Sequence, residues 1–323
     1  MGGDYAPGEI VRGAAEAAAD YPVKVLLVGN ENQVGPLLKH HGHSDIEIIP
    51  AAETIGPAEN PVQSLREKPG SSIVVGTRLI KEGKAQAFAS AGNTGAVAAA
   101  AIFILGMLAG VKRPALCSNI NISGHRFLLL DVGANADCRP FYLAQFGFLG
   151  SIMANAIMGI NSPRVYLLNN GEEESKGNLL TKEAHHLLVR SNLNFGGNIE
   201  GQELFSGKAD VVVTDGYTGN IILKVMEGIA SLFSGQIDGN RKEAHDDRHE
   251  SSGHALAETI RKADYREHGG AILLGVNGNI VVSHGRSRAK AVKNAVRLCY
   301  EAAVSDLNSK LKSKLDSGLP APA

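Results

Sequence analysis

A doubly wound α/β fold with a mostly parallel sheet is the architecture this sequence predicts. Three observations lead there. Short runs rich in Val, Ile and Leu recur along the 323 residues. Helix-like stretches separate them. Glycine, at 38 residues, is about 12% of the chain against a usual ~7%, and it concentrates where an apolar run gives way to a helix. Continuous apolar runs suit strands covered on both faces, and strand–helix alternation suits a wound sheet.

The strand-like runs are 24–28 (KVLLV), 46–49 (IEII), 85–90 (AQAFAS), 127–131 (FLLLD), 165–168 (VYLL), 209–214 (ADVVVT), 271–274 and 280–283. Helical patterning covers 74–81, 96–108, 142–158, 219–232 and 287–304. The uncharged run 95–111 (GAVAAAAIFILGMLAGV) is short for a membrane span and rich in Ala and Gly, so it reads as a buried helix. Residues 236–259 break the alternation with a charged stretch that bears no strand signal. A helical excursion over about 229–265 is expected there, and a frayed tail over 313–323. The whole chain, 1–323, reads as one catalytic α/β unit from which the excursion protrudes.

Composition excludes several functions. With 32 Lys+Arg against 33 Asp+Glu the net charge is −1, which argues against a nucleic-acid binder. Aromatics are 5% and Trp is absent, so base-stacking platforms are disfavoured. Cys117, Cys138 and Cys299 are far apart and form no CxxC pair, so they read as small buried thiols rather than a disulfide framework or zinc site. The start Met1-Gly2-Gly3-Asp4 lacks a basic and apolar leader, so a cytoplasmic location is expected. Neither GxGxxG, GxxxxGK[ST] nor GxSxG occurs, which excludes the usual dinucleotide, P-loop and serine-hydrolase signatures. His245 and His249 lack the glutamate of HExxH, and His40, His41, His43, His185 and His186 read as solvent-facing. No metal or other cofactor is expected.

The junction loops carry the chemistry. They are 89–95 (ASAGNTG), 131–135 (DVGAN), 169–178 (NNGEEESKGN), 215–220 (DGYTGN) and 283–287 (SHGRS). In a parallel sheet such loops share one edge, and ligands bind there. Glycine lets main-chain N–H groups approach a ligand, and helix starts add unpaired donors. Together they predict a cradle for a phosphate-type anion. Asp131 and Asp215 could equally cap turns or helices, and Asn135 could brace its own loop. The run Glu172–Glu174 reads as a solvated turn that orients Lys176, with metal binding as the lesser alternative.

In these loops the sequence resembles the PlsX-type phosphate acyltransferases of bacterial phospholipid synthesis. The matching stretches are MGGDYAP (1–7), SAGNTGA (90–96), LLDVGANADCRP (129–140), NNGEEESKGN (169–178), DGYTGNIILK (215–224) and YREHGGAILLGVNGNIVVSHG (265–285). The resemblance implies a fold like that of isocitrate and isopropylmalate dehydrogenases and phosphotransacetylases. It implies that acyl-[acyl carrier protein] and inorganic phosphate give acyl phosphate, which feeds a membrane glycerol-3-phosphate acyltransferase. Phosphate itself attacks the thioester, so no enzyme nucleophile is needed.

Within that reading Lys176 is the candidate charge on phosphate or oxyanion, and Asn220 the candidate donor at a helix start. Asn93 and Thr94, with the Gly92 and Gly95 amides, would cradle phosphate. Asn135, Asp215 and His284 are candidate orienters or proton carriers, and Asp4 joins the same site. Arg286, Arg288, Lys290, Lys293 and Arg297 form a candidate patch for the acidic carrier, or a solvated helix face. The family's protruding region implies a homodimer or a peripheral contact with the inner membrane face. Members usually carry a short strand before the Met-Gly-Gly-Asp motif, and it is expected to be missing here. An acyl-CoA-using phosphotransacetylase, a decarboxylating dehydrogenase and a non-catalytic regulator binding phosphate or acyl carrier stay open as alternatives.

Overall fold

The computed structural model describes residues 1–43, 45–122, 124–240 and 269–316. Most of the expected excursion, with His245 and His249, and most of the tail lie outside these residues.

The chain opens with α1 (Gly8–Asp20), then β1 (Leu26–Gly29), α2 (Glu31–His40) and β2 (Glu47–Pro50). Strands β1 and β2 pair in parallel as a small separate sheet. Next come α3 (Pro61–Glu67), α4 (Ser72–Lys81), β3 (Ala87–Ser90) and α5 (Thr94–Ala100), which winds on as a π-helical turn through Leu105. The centre is built by β4 (Ala115–Ile122), β5 (His125–Leu130), α6 (Pro140–Met158), β6 (Val165–Leu168), α7 (Leu179–Val189), β7 (Phe195–Ile199) and β8 (Val211–Val213). The last elements are α8 (Gly216–Asn240), β9 (Ala271–Leu274), β10 (Asn279–Val282), α9 (Ala289–Val304) and α10 (Leu307–Asp316).

Eight strands form the main sheet in the order β3-β10-β9-β4-β5-β8-β6-β7. The pairs β3/β10, β5/β8, β8/β6 and β6/β7 are parallel. The pairs β10/β9, β9/β4 and β4/β5 are antiparallel. Two parallel flanks of opposite direction therefore meet across β9 and β4. This corrects the expectation of one common edge: the loops after β3 and β10 leave one way, and those after β5, β6 and β8 leave the other. The two sets meet because register brings their ends level. Val282, at the end of β10, pairs with Ala271, which pairs with Ser118; the preceding β4 residue, Cys117, pairs with Leu130, the end of β5.

Helices cover both faces. Leu128, Leu130, Val211 and Val213 point to one face, against α6, α9 and α10. Leu116, Leu129, Val212 and Leu273 point to the other, against α5 and the start of α8. This alternation follows from the period of two along a strand. The α6 helix is long and apolar enough to cross a bilayer, but more than half of it is buried in the protein. The run expected as a buried helix is helical only as far as Leu105, where Gly106 with a φ of +82° ends it; Ala96, Val97, Ala100 and Ala101 are buried, but Phe103 and Met107 are exposed. Strands β4 and β7 are not among the runs that local patterning predicts: β4 (ALCSNINI) carries three polar residues, and β7 (FGGNI) two glycines and an asparagine.

Close packing of α1 on α9 positions the last loop. A Cβ on Gly13 would lie 2.4 Å from the Ala289 carbonyl oxygen, so glycine is needed for the approach. Glu9 Oε2 accepts the Ala289 N–H at 2.8 Å and caps α9 from outside the helix.

Candidate functional site

Asp131 organises the loop after β5. It is fully buried. Its Oδ1 accepts the N–H groups of Leu116, Gly133 and Ala134 at 2.9, 3.1 and 3.0 Å. Its Oδ2 accepts the Asn135 N–H at 2.7 Å and Asn135 Nδ2 at 2.8 Å. Burial pushes this carboxyl above the ordinary aspartate range, and the five donors work against that shift.

The start of α8 is seated on this loop. The Gly216 N–H donates to the Asn135 carbonyl oxygen at 2.8 Å. A Cβ on Gly219 would lie 1.9 Å from the Asp131 carbonyl oxygen. Asp215 caps the helix: Oδ1 accepts the Thr218 N–H at 2.9 Å, and Oδ2 accepts its hydroxyl at 2.8 Å. Asn220, one residue past the seated glycine, lies beside Gly133, whose φ of +137° requires glycine.

From the opposite direction come the loops after β3 and β10. Ser283 N–H donates to the Ser90 carbonyl oxygen at 2.8 Å and ties them together. The stretch Met1–Asp4 wedges between them. Gly2 lies against Gly92, Gly3 against Ala91 and Gly285, and the Asp4 N–H donates to the Gly285 carbonyl oxygen at 2.8 Å.

Between these loops and α8 lies a cavity of about 340 Å³. Its apolar floor includes Leu116 and Ile120 of β4 with Leu223 and Met226 of α8. Its polar side carries Thr94, Gly95, Asn220, Lys224, His284 and Ser287. Asn220, Lys224 and Glu227 reach it together because residues three and four apart share a helix face. His284 Nδ1 accepts the Arg286 N–H at 3.1 Å, which leaves the ring proton on Nε2, and Nε2 lies 3.9 Å from Glu227 Oε2.

The sequence-predicted residues therefore divide. Thr94, Gly95, Asn220 and His284 converge on the cavity. Asn93 does not line it. Its Nδ2 donates to the carbonyl oxygens of Gly56, Pro57 and Glu59, and its Oδ1 accepts the Ala96 N–H, so its side chain braces a loop and caps α5. Gly92 stands behind the cavity against Gly2, with its N–H on Ser90 Oγ at 3.2 Å. Asn135 Nδ2 is divided between Asp131 and the Pro114 carbonyl oxygen, so Asn135 is a brace. Asp4 is exposed at the rim, with its carboxylate beside Gly285.

Lys176 stands apart. It is exposed, its carbonyl oxygen accepts Asn169 Nδ2 at 3.1 Å, and its stem lies over Gly171. Its loop borders a second, polar hollow of about 450 Å³ that includes Asn169, Asn178, Asp215 and Thr218. The first turns of α8 thus separate Lys176's loop from the cavity holding Asn220. Two of the three acidic residues of the run are paired: Glu172 meets Lys208 at 2.5 Å and Glu174 meets His186 at 3.4 Å.

Of the basic patch, Lys293 is in an ion pair with Asp20, and Arg288 stacks on Tyr5 with its guanidinium 4.6 Å from the ring centre. His185 is a correction. It is buried, with Nδ1 3.0 Å from Asn198 Oδ1, because its position falls on the inward face of α7 beside Ala184 and Leu188. Burial pushes the Cys138 and Cys299 thiols up to about 12 and raises Cys117 well above its usual range, so none is a ready thiolate.

A family model described as a fatty acid synthesis protein matches residues 1–310. A phosphate acyltransferase from Dehalococcoides mccartyi is 46% identical over 329 residues, covering 98% of this chain and 93% of its own. The chain belongs to the phosphate acyltransferase family. Another member, from Heliobacterium modesticaldum, is 47% identical over 309 residues, covering 93% of this chain and 91% of its own. Two solved structures share the fold. A phosphotransacetylase from Streptococcus pyogenes has a TM-score of 0.61 at 17% identity, covering 92% of this chain and 91% of its own. A branched-chain phosphotransacylase from Enterococcus faecalis has a TM-score of 0.58 at 15% identity, covering 94% and 96%.

In this phosphate acyltransferase family member, sequence reasoning missed Ser118, Lys224, Glu227 and Ser287 as cavity residues. Lys224 and Glu227 carried a findable signal, one and two turns after Asn220 on the same helix face. Ser118 carried none, because β4 has no strand-like pattern.

Proposed function

We propose that this protein makes acyl phosphate from acyl-[acyl carrier protein] and inorganic phosphate. The observation that carries this reading is the cavity itself. It has donors at one side, an apolar floor at the other, and no cysteine among its described lining residues. Phosphate bound among the donors lies beside an acyl group held on the floor, and a phosphate oxygen attacks the thioester carbonyl carbon. The carbonyl becomes a tetrahedral oxyanion, for which Asn220 and the α5 amides are donors. The carbon–sulfur bond then breaks, and His284 Nε2–H donates a hydrogen bond to the departing thiolate, which takes its proton from solvent on release. Positioning and charge stabilisation suffice. Lys176 is the proposed charge for phosphate or oxyanion, carried on the loop that stands across the first turns of α8 from this cavity.

Residues 1–323 then act as one catalytic unit with 229–265 appended, in the cytoplasm or at the inner membrane face. The product passes to a membrane glycerol-3-phosphate acyltransferase. Arg286 and Arg288 beside the cavity support a docking surface for the acidic carrier. A homodimer is supported by the apolar stripe Tyr217, Ile221, Val225, Ile229 and Leu232 on α8, exposed at four- and three-residue intervals.

The test is turnover of purified protein with acyl-[acyl carrier protein] and phosphate, with the product trapped by hydroxylamine. Phosphate-dependent hydroxamate is expected. Preference for acyl-CoA as donor would replace the carrier reading, and absence of turnover with either donor would leave a binding protein.

A further inference from the structure

Ser287 is the unexplained group in the cavity wall. It sits in the turn from β10 into α9 and is 1% exposed. Its hydroxyl oxygen is buried and has no hydrogen-bond partner among the described residues. A buried hydroxyl left unpaired is unfavourable, so such a group calls for an explanation, one of which is a position completed by a bound ion or ligand. The turn around it is otherwise satisfied. The Ser287 N–H donates to the His284 carbonyl oxygen at 2.9 Å, and the neighbouring Ser283 hydroxyl donates to the Gly269 carbonyl oxygen at 2.6 Å.

The company Ser287 keeps indicates an anion. In α5 the Ala96 and Val97 N–H groups are taken by the Asn93 side chain and carbonyl oxygen. The first two amides, of Thr94 and Gly95, have no partner within their helix, and both residues line the same cavity as Ser287. Lys224 lines it as well. Glu227 is the one carboxylate among the described lining residues, and it is turned toward His284.

Resting on the functional reading above, we propose that Ser287 is a phosphate-binding residue whose hydroxyl donates to the attacking phosphate, opposite the Thr94 and Gly95 amides. The hydroxyl oxygen is closed to water as it stands. Engagement therefore includes a rotation of the hydroxyl about the Cα–Cβ bond, which moves between staggered positions.

The test is Ser287→Ala in the full chain, beside the unaltered protein. A hydrogen bond to a charged group sets the size: the KM for inorganic phosphate rises roughly tenfold or more, while the KM for the acyl donor stays within about twofold. The thermal midpoint stays level or rises, because the substitution removes an unpaired buried oxygen. An unchanged phosphate KM overturns the proposal. So does a fall in thermal midpoint without a selective phosphate effect, which would make the hydroxyl structural.

A second readout separates this from the functional reading. Inorganic phosphate alone should raise the thermal midpoint of the unaltered protein and not of Ser287→Ala. If the unaltered protein shows no turnover, the functional reading fails, and this comparison still decides Ser287. Equal shifts in the two proteins, or no shift in either, overturn the assignment.

Discussion

Replacing Gly219 with alanine tests whether the contact between α8 and the Asp131 loop sets the site geometry. The added Cβ would stand 1.9 Å from the Asp131 carbonyl oxygen and 3.1 Å from Thr214 Cγ2, whereas ordinary contact begins at 3.4 Å. About 1.5 Å must therefore open between helix and loop. Neither side can give easily: the obstacle is backbone, and Asp131 is held by five hydrogen bonds. Overpacking of this kind costs about 1–3 kcal/mol or more. The next residue is Asn220, and a displacement of ~1 Å at a reacting centre costs on the order of 100-fold in rate.

Thermal unfolding by circular dichroism and hydroxamate formation measure the two effects. Gly228→Ala is the control within the same helix, because a Cβ there meets nothing within 4 Å. It should be stabilising by about 0.5–1 kcal/mol. Gly219→Ala with unaltered stability and turnover would refute the seating of α8 on Asp131.

Four further outcomes follow from the same geometry. Asp131→Asn turns an amide NH₂ toward the two Asn135 donors or the three main-chain donors, and each buried acceptor lost costs about 1–3 kcal/mol; an unchanged urea midpoint would contradict it. Glu59, bonded to Lys68, the Gly56 N–H and Ser64, is held at about 2. Its folded value is depressed below 4.5, so its stabilisation is present above that pH and is lost as pH falls toward about 2. Glu59→Gln should flatten this acid limb, read by denaturation at pH 6 and pH 3, and an acid limb identical to the unaltered protein's would reject the clamp. Lys176→Ala, at an exposed position, should abolish most turnover with a thermal midpoint within about 1 °C; near-normal turnover removes it from the mechanism. Arg288→Glu should raise the KM for the carrier substrate alone, whereas Lys293→Glu should also destabilise by setting a carboxylate against Asp20; an unchanged carrier KM in Arg288→Glu rejects the docking surface.

The sequence by itself determined the wound α/β class, most of the strands, and the glycine-rich loops at their ends. These are local properties: an apolar run has a period and a length, and a glycine at a strand end signals a turn. It also singled out Thr94, Gly95, Asn220 and His284, four residues that line one cavity. Tertiary structure alone decided how the loops meet. The pairs β4/β5 and β9/β10 are hairpins of near neighbours, but the pair that joins the two halves of the sheet, β4/β9, sets Ala115–Ser118 against Ala271–Leu274, far apart in the chain, and β4's mixed composition gave no local sign of it. The uses of Asn93, Asn135 and Asp215 were decided in the same way. An asparagine that braces a loop and one that meets a ligand look alike in sequence, because the difference lies in which distant carbonyl it reaches. Ser287 is the converse, a plain serine in a turn whose hydroxyl stands out only when burial and the lack of a partner are seen together.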